Sequence, residues 1–439
     1  MKKVVKFGGS SLASARQFKK AKSIITADKT RCYVVPSAPG KRDSNDSKVT
    51  DLLYQCYDAA SSGQAYKRLL EQIKKRFDDI IDGLGLSLNL DFEFKKIEED
   101  FLKKAGRPYA ASRGEYLNGI IMAHYLGFPL LDAADAVCFD ADGNFLSEKT
   151  NEELAAHLAS MKQAVIPGFY GAAPDGTILT FSRGGSDITG SLVARAVNAD
   201  LYENWTDVSG FLVADPRIIS NPAQIETITY RELRELAYMG ASVLHEDAIF
   251  PVRRAGIPIN IKNTNRPEDP GTMIVENTSK KPAYTITGVA GKKGFCAVNI
   301  DKAMMNSEIG FGRKVLEVFE DCSISFEHMP SGIDTMSILV HQDEFQEKEQ
   351  AVIAGINRAV HPDSIDLESE LAVIAVVGRG MKSTRGTAGR IFSALAHAKI
   401  NVKMIDQGSS ELNIIIGVSN EDFEDAIRAI YDIFVKTAV

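Results

Sequence analysis

Nowhere do these 439 residues contain an unbroken apolar run of the roughly 18 residues that a membrane-crossing helix needs. The N-terminus, Met1-Lys2-Lys3-Val4-Val5-Lys6-Phe7, reaches Gly8-Gly9 before it can build the apolar core of a signal peptide. No membrane is therefore expected among the partners, and the protein is expected to stay in the cytoplasm. Cysteine is scarce as well. Cys32, Cys56, Cys138, Cys296 and Cys322 are scattered, without the close pairs of zinc sites or disulfide frameworks, and read as reduced packing residues; no protein-built metal site is expected. Positive charge is in deficit, with 51 Lys and Arg against 58 Asp and Glu and a net charge of −7. General nucleic-acid binding, which needs clustered cations to neutralise phosphates, is argued against. The one tryptophan, Trp205, reads as strand-end core.

What is present is a globular composition, 44% apolar, in a chain too long for one ordinary core, so two or three domains are expected. Up to about residue 275 short apolar runs alternate with amphipathic segments. Val4 to Phe7, Cys32 to Pro36, Ala164 to Gly168, Thr177 to Phe181 and Ile257 to Ile261 read as strands of a largely parallel α/β sheet. Between Ser61 and Leu102 dense Lys, Glu and Phe at helical spacing predict a helical excursion whose charges form a solvated face. The breaker-rich stretches Asn263 to Gly271 and Asn277 to Pro282 mark a boundary. Beyond it the chain repeats itself: Met305, Gly312-Arg313, Ile324 and Met336 to Val340 recur as Met381, Gly389-Arg390, Ile400 and Leu412 to Ile416, an offset of 381 − 305 = 76 residues. Two copies of a strand, helix, strand, strand, helix unit are predicted.

Two familiar phosphate loops fail. Gly378-Arg379-Gly380 is followed by Ser383 where a dinucleotide fingerprint needs glycine, and Gly40-Lys41 lacks the upstream glycine of a Walker loop. The first strand instead ends in Lys6-Phe7-Gly8-Gly9-Ser10-Ser11, a lysine beside a glycine turn whose bare amides can approach an anion, although such a turn is also common as a plain connection. The strand at Thr177 to Phe181 leads through Ser182-Arg183-Gly184-Gly185-Ser186-Asp187 into a helix from Ile188 to Val197. Ser186 is expected to cap that helix, and Arg183 can grip a carboxylate with two parallel hydrogen bonds. Asp187 reads equally as a first-turn acid.

Five segments together, Lys6-Phe7-Gly8-Gly9-Ser10-Ser11, Ser112-Arg113-Gly114-Glu115, Ser182 to Asp187, Trp205-Thr206-Asp207-Val208-Ser209-Gly210 and Ala214-Asp215-Pro216-Arg217, resemble in order and spacing the aspartate kinases of the amino acid kinase superfamily. The resemblance covers the whole chain. It implies an α/β fold with a three-layer αβα catalytic domain of the carbamate-kinase-like type over residues 1–280, followed by two C-terminal ferredoxin-like ACT modules over residues 284–368 and 369–439, whose first strand can be shared. It implies transfer of the γ-phosphoryl group of ATP, with Mg²⁺, to the side-chain carboxylate of L-aspartate, the first step of lysine, threonine and methionine biosynthesis. Lys6, Gly8, Gly9 and Asp187 would form the catalytic centre. Lys6, Gly8, Gly9, Ser10, Thr206, Asp207, Leu212, Arg217 and Ser242 would line the nucleotide site. Ser37, Thr50, Glu115, Arg183 and Ser186 would hold aspartate, Arg183 at its α-carboxylate and Glu115 at its ammonium. Two departures stand out: Ser242 in Gly240-Ala241-Ser242-Val243-Leu244-His245 replaces a lysine, and Leu212 replaces an aromatic. His245 is given no role.

In the first module the segment Met305, Glu308, Gly310, Phe311 and Gly312, with Phe326, Glu327 and Ser331 from the following strand and turn, resembles the effector-binding segment of lysine-regulated relatives. Lysine is the expected effector, with Glu308 and Glu327 as acids for its ammonium groups. Pairing of ACT modules is expected to make a homodimer or homotetramer. No homoserine dehydrogenase extension is read in the sequence, so a monofunctional enzyme is expected. A glutamate-directed kinase of the same superfamily and an inactive amino-acid-binding regulator are the alternatives.

Overall fold

The computed structural model describes residues 1–182, 184–240 and 246–437. The chain divides into two compact units, one formed by Met1–Phe211, Glu226–Tyr230 and Val243–Thr278, the other by Leu212–Ile225, Arg231–Ser242 and Ser279–Val439. In chain order the first part supplies strand β1 (Lys3–Phe7), helix α1 (Ala15–Ala27), β2 (Arg31–Pro36), α2 (Val49–Ser61), α3 (Lys67–Leu84), α4 (Asp91–Leu102), α5 (Arg107–Leu126), α6 (Ser147–Leu158), β3 (Ala164–Val165), β4 (Tyr170–Ala172), β5 (Ile178–Thr180), α7 (Gly185–Ala196) and β6 (Leu201–Thr206). Then come β7 (Thr227–Thr229), α8 (Tyr230–Tyr238), α9 (Glu246–Arg254), β8 (Ile259–Asn263) and β9 (Thr272–Val275).

The first unit is built on a seven-stranded sheet of order β3-β2-β1-β6-β8-β9-β7, parallel except where β8 meets β9. Alternation along β1 assigns its two faces. Val5 and Phe7 join Phe18 and Ile25 of α1, Leu53 of α2 and Leu117 and Ile121 of α5 in one buried cluster, which also takes Trp205 from β6. Lys6 points to the other face, towards α7. Helices on both faces of a mainly parallel sheet make the three-layer arrangement. The excursion between residues 61 and 102 is helical, as α3 and α4. Not all its charges face solvent: Arg76 is buried, donates to the Gly40 carbonyl at 2.9 Å and pairs with Asp46, pinning the polar loop after β2.

Two expectations change. The run at Thr177 to Phe181 shortens to β5, which pairs antiparallel with β4 in a separate hairpin instead of entering the main sheet. An apolar run of three to five residues carries no signal for which strand it will pair with. Helix α7 is capped by Gly184 at φ 60°, with Ser186 already inside its first turn. Left-handed backbone at Gly184 costs little without a Cβ, so the chain enters the helix two residues earlier than a serine cap would require.

In the second unit the chain continues as β10 (Gly288–Asp301), α10 (Phe311–Asp321), β11 (Phe326–His328), β12 (Thr335–His341), α11 (Gln342–Gln346), α12 (Glu349–Val360), β13 (Ser364–Val377), α13 (Thr387–His397), β14 (Met404–Asp406), β15 (Asn413–Ser419) and α14 (Phe423–Tyr431). The sheet order is β11-β12-β10-β13-β15-β14. β10 and β13 are both 14 residues long and pair antiparallel along their length. The far half of β10 also pairs with β12, and the far half of β13 with β15. Each long strand thus serves two four-stranded half-sheets, with register breaks at Gly294 (φ 90°) on β10 and near Glu370 (φ 57°) on β13.

Residues 231–238 of α8 lie in this unit and dock through polar side chains spaced three apart, one face of a helix. Glu232 is fully buried. It accepts from the backbone N–H of Arg379 at 2.9 Å, from the Arg379 guanidinium at 2.9 Å and from the Thr287 hydroxyl at 2.5 Å. Glu235 accepts from Asn413 at 2.6 Å, and the Tyr238 hydroxyl bonds Glu327.

Candidate active site

The ends of β1, β2, β6 and β8 converge at one edge of the first sheet, where ligands of open α/β folds bind. Gly8 N–H donates to the Trp205 carbonyl at 2.9 Å, tying the turn after β1 to the end of β6. Ser11 and Thr264, which follows β8, share a hydrogen bond of 2.8 Å. The turn after β2 closes on the turn after β1 through two glycines: Gly40 N–H donates to the Gly9 carbonyl at 2.9 Å, and a Cβ on Gly40 would lie 2.6 Å from the Gly9 carbonyl carbon. Two backbones at this distance exclude any side chain and leave a close-packed, amide-rich rim.

Lys6 is 7% exposed, and its Nζ lies 2.5 Å from Oδ1 of Asp187 in the first turn of α7. Thr206 and Asp207 leave β6 beside Gly8, joined by a hydrogen bond of 3.2 Å. Lys6, Gly8, Gly9, Asp187, Thr206 and Asp207, far apart in sequence, are thus brought to one strand-end rim, with Ser10 in the adjoining 3₁₀ turn Gly9–Leu12.

A second group adjoins the turn after β2. α5 approaches it because Gly114 has no side chain; a Cβ there would stand 2.8 Å from Cβ of Ala38 and 3.7 Å from Val49 at the start of α2. Ser37 and Thr50 each follow or precede one of these contacts by a single residue. Ser37 N–H donates to the Phe7 carbonyl at 3.0 Å. Glu115 is buried, accepts from the Ala38 backbone N–H, and leaves Oε2 with no partner among the described residues. Burial pushes its carboxyl up to about 8, against the weaker pull of the Ala38 N–H and the Lys6 charge. One turn on, Asn118 is fully buried, donates to the Ser37 carbonyl at 2.7 Å and has an unpartnered Oδ1. Two orphaned acceptors on one helix face call for a ligand rich in N–H donors. Asn118 was not singled out from sequence; its spacing of three from Glu115 was the available signal. Ser186 is buried against Gly168, whose Cβ would come within 2.8 Å of its Oγ.

Arg183, Ser242 and His245 lie outside the described residues. Leu212 and Arg217 belong to the second unit, where Arg217 pairs with Asp215 at 2.6 Å.

The expected effector segment is also in the second unit. Gly310, at φ 79°, precedes α10, whose first two residues are Phe311 and Gly312. Met305 and Phe311 put their side chains into the core of the first half-sheet, so only their backbones are open to a ligand. The two acids are committed to protein partners. Glu308 lies 2.7 Å from both Lys302 and Lys314, which hold its carboxyl down to about 2. Glu327 lies 3.2 Å from His341 and bonds Tyr238, with its side chain 8% exposed. An effector ammonium reaching either acid would have to displace these groups. Phe326 is partly exposed, and Ser331 bridges to Met336.

Among the described residues no group of three His, Cys, Asp or Glu could hold a metal, and no helix is long and apolar enough to cross a membrane.

Residues 1–263 match the amino acid kinase family and residues 374–434 the ACT domain. The chain is 39% identical to aspartokinase 3 of Bacillus subtilis, over 98% of each chain. It is 50% identical to the crystal structure of an aspartate kinase from Clostridium acetobutylicum, described as an allosteric enzyme, with a TM-score of 0.90 and 98% and 99% of the two chains covered. Aspartokinase III of E. coli, solved with lysine and aspartate, shares the fold at 21% identity and a TM-score of 0.72, over 98% and 99% of the two chains. The strand-end lysine and glycine rim, the α7 aspartate and the paired half-sheets therefore sit in a member of the amino acid kinase family, on its aspartokinase branch.

Proposed function

We propose that the chain transfers the γ-phosphoryl group of Mg²⁺-bound ATP to the side-chain carboxylate of L-aspartate, giving 4-phospho-L-aspartate and ADP. The observation that carries this reading is the juxtaposition at the strand ends of a buried Lys6–Asp187 pair beside a glycine rim with a buried, half-satisfied Glu115. One side suits a polyphosphate, the other an ammonium.

The acceptor carboxylate has an ordinary pKa of ~3.9, so it is ionised at neutral pH and needs no general base. One of its oxygens attacks the γ-phosphorus as the bond to the bridging oxygen of ADP breaks. The barrier is the approach of one anion to another, and the chain's contribution is cationic and dipolar. Lys6, aimed by Asp187, neutralises charge on the transferring group. Amides of Gly8, Gly9 and Ser10 hold phosphate oxygens, and Thr206 and Asp207 border the nucleotide. Glu115 takes the aspartate ammonium and Arg183 its α-carboxylate, with Ser37, Thr50 and Ser186 around it. Mg²⁺ on the phosphates supplies further charge neutralisation.

Lysine is the effector in this reading. It binds the segment Met305 to Gly312 with Phe326, Glu327 and Ser331, as suits an amino-acid carboxylate at the N-terminus of α10; the E. coli protein was itself solved with lysine. Copies of the chain pair through their ACT modules, in the cytoplasm, where ATP is abundant. Coupled ADP release measured with aspartate and with glutamate, each with and without millimolar lysine, tests both parts. Turnover with glutamate equal to that with aspartate refutes the substrate assignment, and unchanged turnover with lysine refutes the effector.

A further inference from the structure

Strands β1 and β6 are parallel neighbours, and their register sets Lys6 directly opposite Asn204. Along β6 the faces alternate. Glu203 and Trp205 turn to the α1 side, where Glu203 accepts from Arg31 at 2.8 Å and from the Trp205 indole at 2.9 Å. Tyr202 and Asn204 turn to the α7 side, and both grip residue 187: the Tyr202 hydroxyl donates to its carbonyl at 3.2 Å, and Asn204 Nδ2 donates to its Oδ1 at 2.8 Å. That oxygen is the one 2.5 Å from Lys6 Nζ. Asn204 is 3% exposed, and a buried amide has a desolvation cost that this hydrogen bond offsets.

We propose that Asn204 is a positioning residue for phosphoryl transfer: from the strand position facing Lys6, it orients the Asp187 carboxylate so that Lys6 is held at the phosphate rim. The proposal rests on the aspartate kinase reading. The geometry explains why an amide is needed there. Asp187 Oδ1 receives two donors from adjacent strands, which fixes the carboxylate plane, and a carboxylate shared in this way holds the ammonium without capturing it completely. An apolar residue of equal size would leave Asp187 bonded to Lys6 alone, free to rotate and to draw the cation back from the phosphate. The charged and titratable groups facing this cluster are Lys6 and Tyr202, with Glu115 acting on Lys6 from α5.

The test compares the parent with Asn204→Leu and Asn204→Asp for kcat, both KM values and the pH profile of kcat. The leucine variant should lose about tenfold or more in kcat with KM for aspartate within about twofold. The aspartate variant is isosteric. At low pH its carboxyl carries a proton and donates to Asp187 as the amide does; at higher pH it ionises and repels Asp187. Its kcat relative to the parent should therefore fall as pH rises. A leucine variant within twofold of the parent kcat, or a flat kcat ratio for the aspartate variant, overturns the proposal; should the leucine variant fail to fold, the aspartate profile decides alone. Failure of the parent to phosphorylate aspartate would instead overturn the underlying reading.

Discussion

Replacing Glu115 by glutamine should make the protein more stable and the enzyme worse. The unfolded chain ionises this carboxyl near 4.5, whereas the folded protein holds its proton until about 8 because the group is buried. Between those values the folded state binds more protons than the unfolded one, so stability falls as pH rises through this window; the cost is absent below about pH 4.5 and complete near pH 8. At ~1.4 kcal/mol per pH unit, the loss accumulated by pH 7 is about 3 kcal/mol. Glutamine keeps the acceptor for the Ala38 N–H and has no charge to bury. Thermal unfolding of parent and variant should therefore differ by under about 1 kcal/mol at pH 5 and about 3 kcal/mol in favour of the variant at pH 7, a rise of roughly 6–10 °C for a unit of this size. At the same time KM for aspartate should rise about a hundredfold or more, because a buried charge partner for the ammonium is lost, with KM for ATP unchanged. A stability gap equal at pH 5 and pH 8, or a destabilised variant, would refute the reasoning.

Further expectations follow from other contacts. In the parent, aspartate binding should pull Glu115 towards its ionised form and release a proton, so KM for aspartate should fall as pH rises from 6 towards 8; a pH-independent KM contradicts this. Lys6→Met should leave a folded protein, with Asp187 still held by Asn204, and reduce kcat at least about a hundredfold, since a cation at the transferring group acts mostly in the transition state. Arg379→Ala should remove a guanidinium from the buried Glu232 and destabilise the second unit in a denaturant titration by clearly more than loss of an exposed pair such as Arg313–Glu317, which should cost under about 1 kcal/mol. Gly40→Ala should force the two glycine turns apart and raise KM for ATP, read by nucleotide titration.

The strand-end rim was legible because its parts are local. A lysine ending an apolar strand before Gly8-Gly9, and an aspartate opening α7, each announce themselves within a few residues. The internal repeat likewise foretold two matching units, though not that β10 and β13 each complete both half-sheets, since strand pairing is decided between segments about 75 residues apart. What sequence could not reveal are groups whose meaning lies in a distant partner. Asn204 is one polar residue in a six-residue strand until the register sets it opposite Lys6. Arg76 looks like any other charge of α3 until the Gly40 carbonyl closes on it. Glu232 is buried by an arginine 147 residues away. Glu308 and Glu327 read as free acids because the lysines and the histidine that occupy them lie on other turns and strands.

The acceptor is the side-chain carboxylate of aspartate, and acyl phosphates react with hydroxylamine to give hydroxamates, which form coloured complexes with ferric ion. The purified full chain incubated with Mg²⁺-ATP, aspartate and hydroxylamine should form aspartyl hydroxamate in step with ADP, and glutamate in place of aspartate should give neither. ADP released without hydroxamate, or at the same rate without aspartate, would contradict this assignment.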